Sequence, residues 1–170
     1  MGIKNAFKTV KPLEIEPKEC ADVTIGFIVE PDIVSSPSDI ILLLDISNNM
    51  SNIFEYIKTA TIKFIDSIVK STGSLNNIIN GGTKIGLVTF ADTAKEEEEL
   101  TNNADILKSK ISLLNTKGVS KIKNGFIEAS KSLNTSSLNK KIILISDGNW
   151  SDNDTTDVIG ELENDNVKYM

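Results

Sequence analysis

Three short polar segments carry side chains able to do chemistry. The first is Asp45-Ile46-Ser47-Asn48-Asn49, in which Asp45, Ser47 and Asn49 alternate. In an extended loop, alternating side chains point the same way. The second is Ser146-Asp147-Gly148, and the third is Lys117-Gly118-Val119-Ser120, where a glycine-containing loop delivers a hydroxyl at a helix start. A hydroxyl in that place is also a good N-cap. Together the segments offer two carboxylates (Asp45, Asp147), two hydroxyls (Ser47, Ser120) and the amide carbonyl of Asn49. All are hard oxygen donors, suited to Mg²⁺, Ca²⁺ or Mn²⁺. Mg²⁺ takes few carboxylates and keeps several waters, so such a site leaves a coordination position free for an outside carboxylate.

Other chemistries are removed by composition. The chain has no histidine, which excludes Ser-His-Asp and Cys-His catalysis and histidine-based zinc sites. Cys20 is the only cysteine, so no internal disulfide forms, and it reads as a small apolar residue at a strand start. All 18 basic residues are lysine, which removes bidentate guanidinium clamps. The net charge of −6 lacks the basic footprint of a nucleic-acid binder. No run of 18 apolar residues exists to cross a membrane. Residues 1–11 carry Lys4, Lys8 and Lys11 with no apolar stretch behind them, so they do not read as a signal peptide.

The elements that must position these segments follow from periodicity. Residues 21–29 alternate as a strand, and the Pro- and Ser-containing stretch 30–38 reads as a linker. Residues 1–38 are thus a β lead segment with its linker, and 39–170 a second domain. Ile40 to Leu44 is a continuous apolar run ending in Asp45, the pattern of a strand buried on both faces of a parallel sheet. Helical spacing predicts a helix over 53–70. Strands follow at 84–91 and at 93–100, the second an edge strand whose Glu96–Glu99 run discourages sheet association. Helices are expected at 104–114, with Asn102 or Asn103 as cap, and at 120–133. A second apolar strand, 141–146, also runs into an aspartate, Asp147; a helix is expected at 154–162 and a strand opening at 167–170. Strands alternating with helices predict an α/β fold with a doubly wound, mostly parallel sheet. Ligands of such sheets bind outside the carboxyl ends of the strands, which is where Asp45 and Asp147 fall.

Asp-x-Ser-x-x after the first strand, Lys-Ile-Gly-Leu-Val-Thr-Phe-Ala in the second and Ile-Ile-Leu-Ile-Ser-Asp-Gly in the fourth resemble the von Willebrand factor A family over about residues 39–170. The lead strand resembles an extra β segment carried by bacterial surface or secreted members. The resemblance implies a Rossmann-like binding module, not an enzyme, with a metal-ion-dependent adhesion site (MIDAS). Asp45 and Ser47 match its first motif. Asn49 stands for the last serine of that motif, Ser120 for the separate threonine, and Asp147 matches the final aspartate. Lys121 departs from the pattern by placing an ammonium next to the site. The implied partner is a protein offering an acidic side chain, with Asn48 and Trp150 as candidate contacts. The implied setting is a bacterial surface or secreted protein, a cytoplasmic one being the other reading. The family also implies elements beyond Met170, without which the sheet edge is incomplete and open to self-association. Two alternatives stand beside this reading. One is a metal-free scaffold domain of a surface protein. The other is a Mg²⁺-dependent phosphatase resembling the haloacid-dehalogenase group, which places a second acid where this chain has Ser47.

Overall fold

The computed structural model describes residues 3–11, 22–29, 37–71, 76–134, 136, 139–149 and 168–169. Two units are present, Met1–Ser35 and Ser36–Met170. In the first, Ile3–Lys11 (β1) and Asp22–Val29 (β2) pair antiparallel, with an irregularity between Ile3 and Asn5. β2 coincides with the expected strand. β1 adds a strand that sequence reading passed over, because Asn5 interrupts the Ile3 and Phe7 series and leaves the alternation weak.

The second unit is organised by Ser38–Asp45 (β3), every residue of which is buried. Its alternating side chains feed two separate cores. Ile40, Leu42 and Leu44 pack into a cluster with Ile65, Ile68, Leu107 and Ile111. Ile41 and Leu43 join Val88, Phe90, Ile122, Phe126 and Leu133 on the opposite face. Burying each such side chain stabilises the fold by roughly 1.5–3 kcal/mol. A strand that supplies both cores has no solvent face, which explains its uninterrupted apolar run.

Phe54–Ser71 (α1) follows β3, and Lys84–Phe90 (β4) returns parallel to it, with Asp39 opposite Lys84 and Asp45 opposite Phe90. Ala94–Thr101 (β5) then pairs antiparallel with β4 across a tight turn closed by Ala91 N–H donating to the Thr93 carbonyl at 3.0 Å. Ala104–Leu113 (α2) starts at Asn103, whose side chain accepts from the N–H groups of Asp105 (3.0 Å) and Ile106 (3.4 Å). Asn103 is therefore the cap of this helix. Ile122–Leu133 (α3) covers the face opposite α1 and α2. Asn139–Ile145 (β6) pairs parallel on the other side of β3, and Lys168–Tyr169 (β7) pairs parallel with β6. The sheet order is β5-β4-β3-β6-β7, mostly parallel with one antiparallel edge. The expected helix at 154–162, together with Cys20 and Trp150, lies outside the described residues.

Two lysines tie α1 to α2. Lys58, 8% exposed, donates to Glu55 Oε1 (2.9 Å) and the Ser112 carbonyl (3.3 Å), with its ammonium 5.2 Å from the centre of the Phe54 ring. Lys108 donates to Asp66 at 2.9 Å and lies 3.5 Å from Asp105. The hydrogen bond to Asp66 leads the effects that raise Lys108 above the ordinary lysine value, against the opposing pull of desolvation. With the folded value raised, this tie is fully present below the unfolded lysine value and is lost only as pH rises through the folded one.

Candidate metal centre

The parallel register delivers the site. β3 and β6 align Leu44 with Ile145, so the next residues, Asp45 and Ser146, meet at the carboxyl edge of the sheet. Asp45 is fully buried there. Its Oδ1 accepts from the Ser47 N–H at 2.8 Å, and its Oδ2 accepts from the hydroxyls of Ser120 (2.8 Å) and Ser146 (2.9 Å). One carboxylate thus gathers three loops. Ser120 is 1% exposed and Ser47 is fully buried. The Ser47 hydroxyl has no hydrogen-bond partner among the described residues. A buried hydroxyl without a partner costs about 1–3 kcal/mol, so such groups concentrate where a ligand is to be held.

The loop that carries Ser120 is clamped onto the Asp45 loop through its backbone. Asn48 N–H donates to the Gly118 carbonyl at 3.0 Å, and Lys117 N–H donates to the Ile46 carbonyl at 2.7 Å. Ile46 and Lys121 are in turn held to the end of β4 through the carbonyls of Phe90 (2.9 Å) and Ala91 (3.1 Å). Gly118 has φ +64°, and a Cβ there would run into the Asp92 carboxylate. Gly118→Ala is accordingly expected to lower stability by roughly 1–2 kcal/mol from the left-handed backbone alone. Urea unfolding checks this. Adding Asp92→Ala removes the steric collision and should recover only part of the loss.

Several expectations about the site change on contact with the geometry. The loop after Asp45 is not extended. Asn48–Met50 forms one turn of 3₁₀ helix starting at Ser47, because Met50 turns in to be fully buried. Asn49 therefore does not share a direction with Asp45 and Ser47. It is exposed, and its Nδ2 donates to the Asn149 carbonyl at 3.3 Å, joining the first loop to the loop after β6. Ser120 lies one residue before the cap position of α3, which is Lys121 with no side-chain cap bond of its own, and the Ser120 hydroxyl donates to Asp45. Asp147 is exposed, and its Oδ1 accepts from the Asn149 N–H at 2.9 Å. Asn48 and Lys121 are exposed on the same edge.

Ser146, which stood in the quoted motif but outside the expected donor set, is the further residue that the structure brings to Asp45. The signal was in the register: two parallel apolar strands ending in Asp45 and Ser146-Asp147 place the serine, not the aspartate, opposite Asp45. Among the described residues no three carboxylate, thiol or imidazole groups cluster around one point. Any cation at this edge thus depends on hydroxyls and amide oxygens alongside Asp45. The donor set fits a hard divalent cation: a buried carboxylate, an orphaned buried hydroxyl and two further hydroxyls within one hydrogen bond of that carboxylate.

A mostly parallel sheet between helices, with an Asp-x-Ser loop and two serine-bearing loops converging at its carboxyl edge, defines the von Willebrand factor A class. The family model for the von Willebrand factor type A domain matches residues 39–170, and the chain belongs to that family. No curated protein matches the chain. Among solved structures, it is similar to the von Willebrand factor domain of the type V pili tip protein Mfa5 from Porphyromonas gingivalis, with 22% identity and a TM-score of 0.61 over 68% of this chain and 39% of that one. Proximal thread matrix protein 1 from the mussel byssus, in a form with a zinc-occupied MIDAS motif, is 21% identical with a TM-score of 0.66, covering 79% of this chain and 35% of that one. BatB from Bacteroides thetaiotaomicron is 20% identical with a TM-score of 0.64, covering 78% and 64%. The chain spans less than two thirds of each of these structures. At such identities the likeness establishes the shared fold.

Proposed function

We propose that this protein is a non-enzymic binding module that holds a divalent cation, Mg²⁺ or in its place Ca²⁺ or Mn²⁺, at the carboxyl edge of its sheet. Asp45, Ser47 and Ser120 hold the ion, and Asn49 and Asp147, exposed on the flanking loops and bonded to Asn149, must turn from those contacts to reach it. A carboxylate on a partner protein completes the coordination, and the exposed Asn48, together with Trp150 of the loop after β6, contacts that partner, Trp150 lying outside the described residues. The observation that carries this reading is the Ser47 hydroxyl, fully buried beside Asp45 with no partner among the described residues. The zinc-occupied motif of the mussel protein supports a divalent ion at this edge of the fold, and the pili-tip relative supports a surface or secreted setting. Among the described residues no helix is long and apolar enough to cross a membrane. Against a phosphatase stands the position two residues after Asp45, where a second acid would serve as general acid/base and Ser47 stands instead.

Thermal unfolding in Mg²⁺, Ca²⁺ or Mn²⁺ against EDTA tests the proposal. A cation present at a hundredfold over its dissociation constant stabilises by about 2.7 kcal/mol. For a chain of this length that is a rise of roughly 5–10 °C in the midpoint. Asp45→Ala should abolish the rise. A midpoint indifferent to every cation would leave the alternative reading, a metal-free scaffold.

A further inference from the structure

The opposite, amino-terminal edge of the sheet holds a second unexplained carboxylate. Asp39 is the second residue of β3 and is 5% exposed. Its Oδ2 accepts from the Ser136 hydroxyl, while its Oδ1 is buried with no hydrogen-bond partner among the described residues. Asp39 lines a cavity of about 440 Å³, together with Glu96 and Glu99 of β5 and with Lys84 and Lys131. Register explains the grouping. Asp39 sits opposite Lys84 on β4, and α3 packs over this face of β3 and β4 while β5 forms its edge. Lys131 lies 3.0 Å from Glu128, which commits its charge elsewhere. Lys84 lines the cavity beside the three carboxylates, and Lys140 is the register partner of Asp39 on the β6 side.

A buried carboxylate oxygen without a donor is costly, and the group that relieves it is a charged N–H donor. The three carboxylates do not converge as a ligand set for one metal ion. The cavity is also far larger than the ~30 Å³ that a single water occupies. Leu100 contributes an apolar wall against which a methylene chain can lie. A cationic nitrogen on a short alkyl chain suits these features better than a bare metal ion does.

We propose that this cavity, remote from the Asp45 site, binds an organic cation, an ammonium or guanidinium group whose N–H donates to Asp39. Glu96 and Glu99 of β5 form the outer wall of the same site and draw the cation in. The group comes either from a free polyamine or from a lysine or arginine side chain of a partner protein.

Calorimetric titration of the full chain with spermidine, with a capped lysine-rich peptide and with CaCl₂ tests the proposal. One of the two organic probes should bind. Asp39→Asn, which keeps the Ser136 contact, should weaken that probe at least tenfold, and Asp45→Ala should leave it unchanged, which separates this site from the metal centre. Tighter binding of spermidine assigns the site to a free polyamine; tighter binding of the peptide assigns it to a partner's side chain. If Asp39→Asn does not fold, the double variant Glu96→Gln, Glu99→Gln should weaken the same probe several-fold. The proposal is overturned if neither organic probe binds, if binding survives these substitutions, or if CaCl₂ binds in their place with the same dependence on Asp39.

Discussion

Gly125→Val is expected to be the most disruptive single change in the helical layers, lowering stability by about 2–3 kcal/mol, in the range for overpacking a filled core. Gly125 is buried on the face of α3 that meets the sheet. A Cβ at this position would already stand 2.9 Å from Phe90 Cδ1 and Cγ and 3.1 Å from Leu43 Cδ1. Phe90 is fully buried at the end of β4, and Leu43 is fully buried in β3, so neither ring nor branch has space to retreat. The two further methyl groups of valine must push α3 outward. The gain in helix propensity over glycine, smaller for β-branched valine than the roughly 0.5–1 kcal/mol that alanine would bring, offsets only part of this. The effect should reach the proposed metal centre, because Ser120 lies two residues before α3 and Lys121 N–H is held to the Ala91 carbonyl beside Phe90. Urea unfolding should show a lower midpoint with an unchanged slope, and cation-dependent stabilisation should shrink in the same variant. An unchanged midpoint would mean that α3 is not seated against Phe90 as described.

The contrast between what sequence showed and what it hid follows a physical line. Ile40 to Leu44 announced a strand buried on both faces, because only such a strand tolerates five consecutive large apolar residues. The helices over 54–71, 104–113 and 122–133 likewise followed from period and caps, within a residue or two of expectation. What stayed hidden depends on partners distant in sequence. The Asp45–Ser146 contact spans 101 residues and exists only through the β3–β6 register. The orphaned oxygen of Asp39 is equally invisible in sequence, where an aspartate at a strand start reads as a solvated end. At Asn48–Met50 the alternation of polar residues in the sequence points to an extended loop. Burial of Met50 decides instead, and it coils the loop.

Ser47→Ala should act with opposite signs depending on whether a cation is present. In EDTA the wild-type hydroxyl is buried without a partner among the described residues, and alanine removes that unsatisfied group while leaving the backbone N–H of residue 47 on Asp45 Oδ1. Stability should therefore rise by about 1 kcal/mol, toward the lower end of the cost of an unpaired buried hydroxyl. In excess Mg²⁺ the order should invert, because the variant forfeits most of the roughly 2.7 kcal/mol that a saturating ion supplies. Ser120→Ala provides the control. Its hydroxyl already donates to Asp45 Oδ2, so its removal should destabilise by about 1 kcal/mol in EDTA as well. Paired urea titrations of the three proteins, with and without Mg²⁺, read both effects. A Ser47→Ala variant that loses stability in EDTA would show that the hydroxyl is satisfied within the protein, and the strongest reason for placing a cation beside Asp45 would go with it. The inversion, if seen, would locate the tension in the empty site at one atom. It would also explain a buried serine with no partner among the described residues at this edge: the hydroxyl weakens the ion-free domain and serves the ion when it binds.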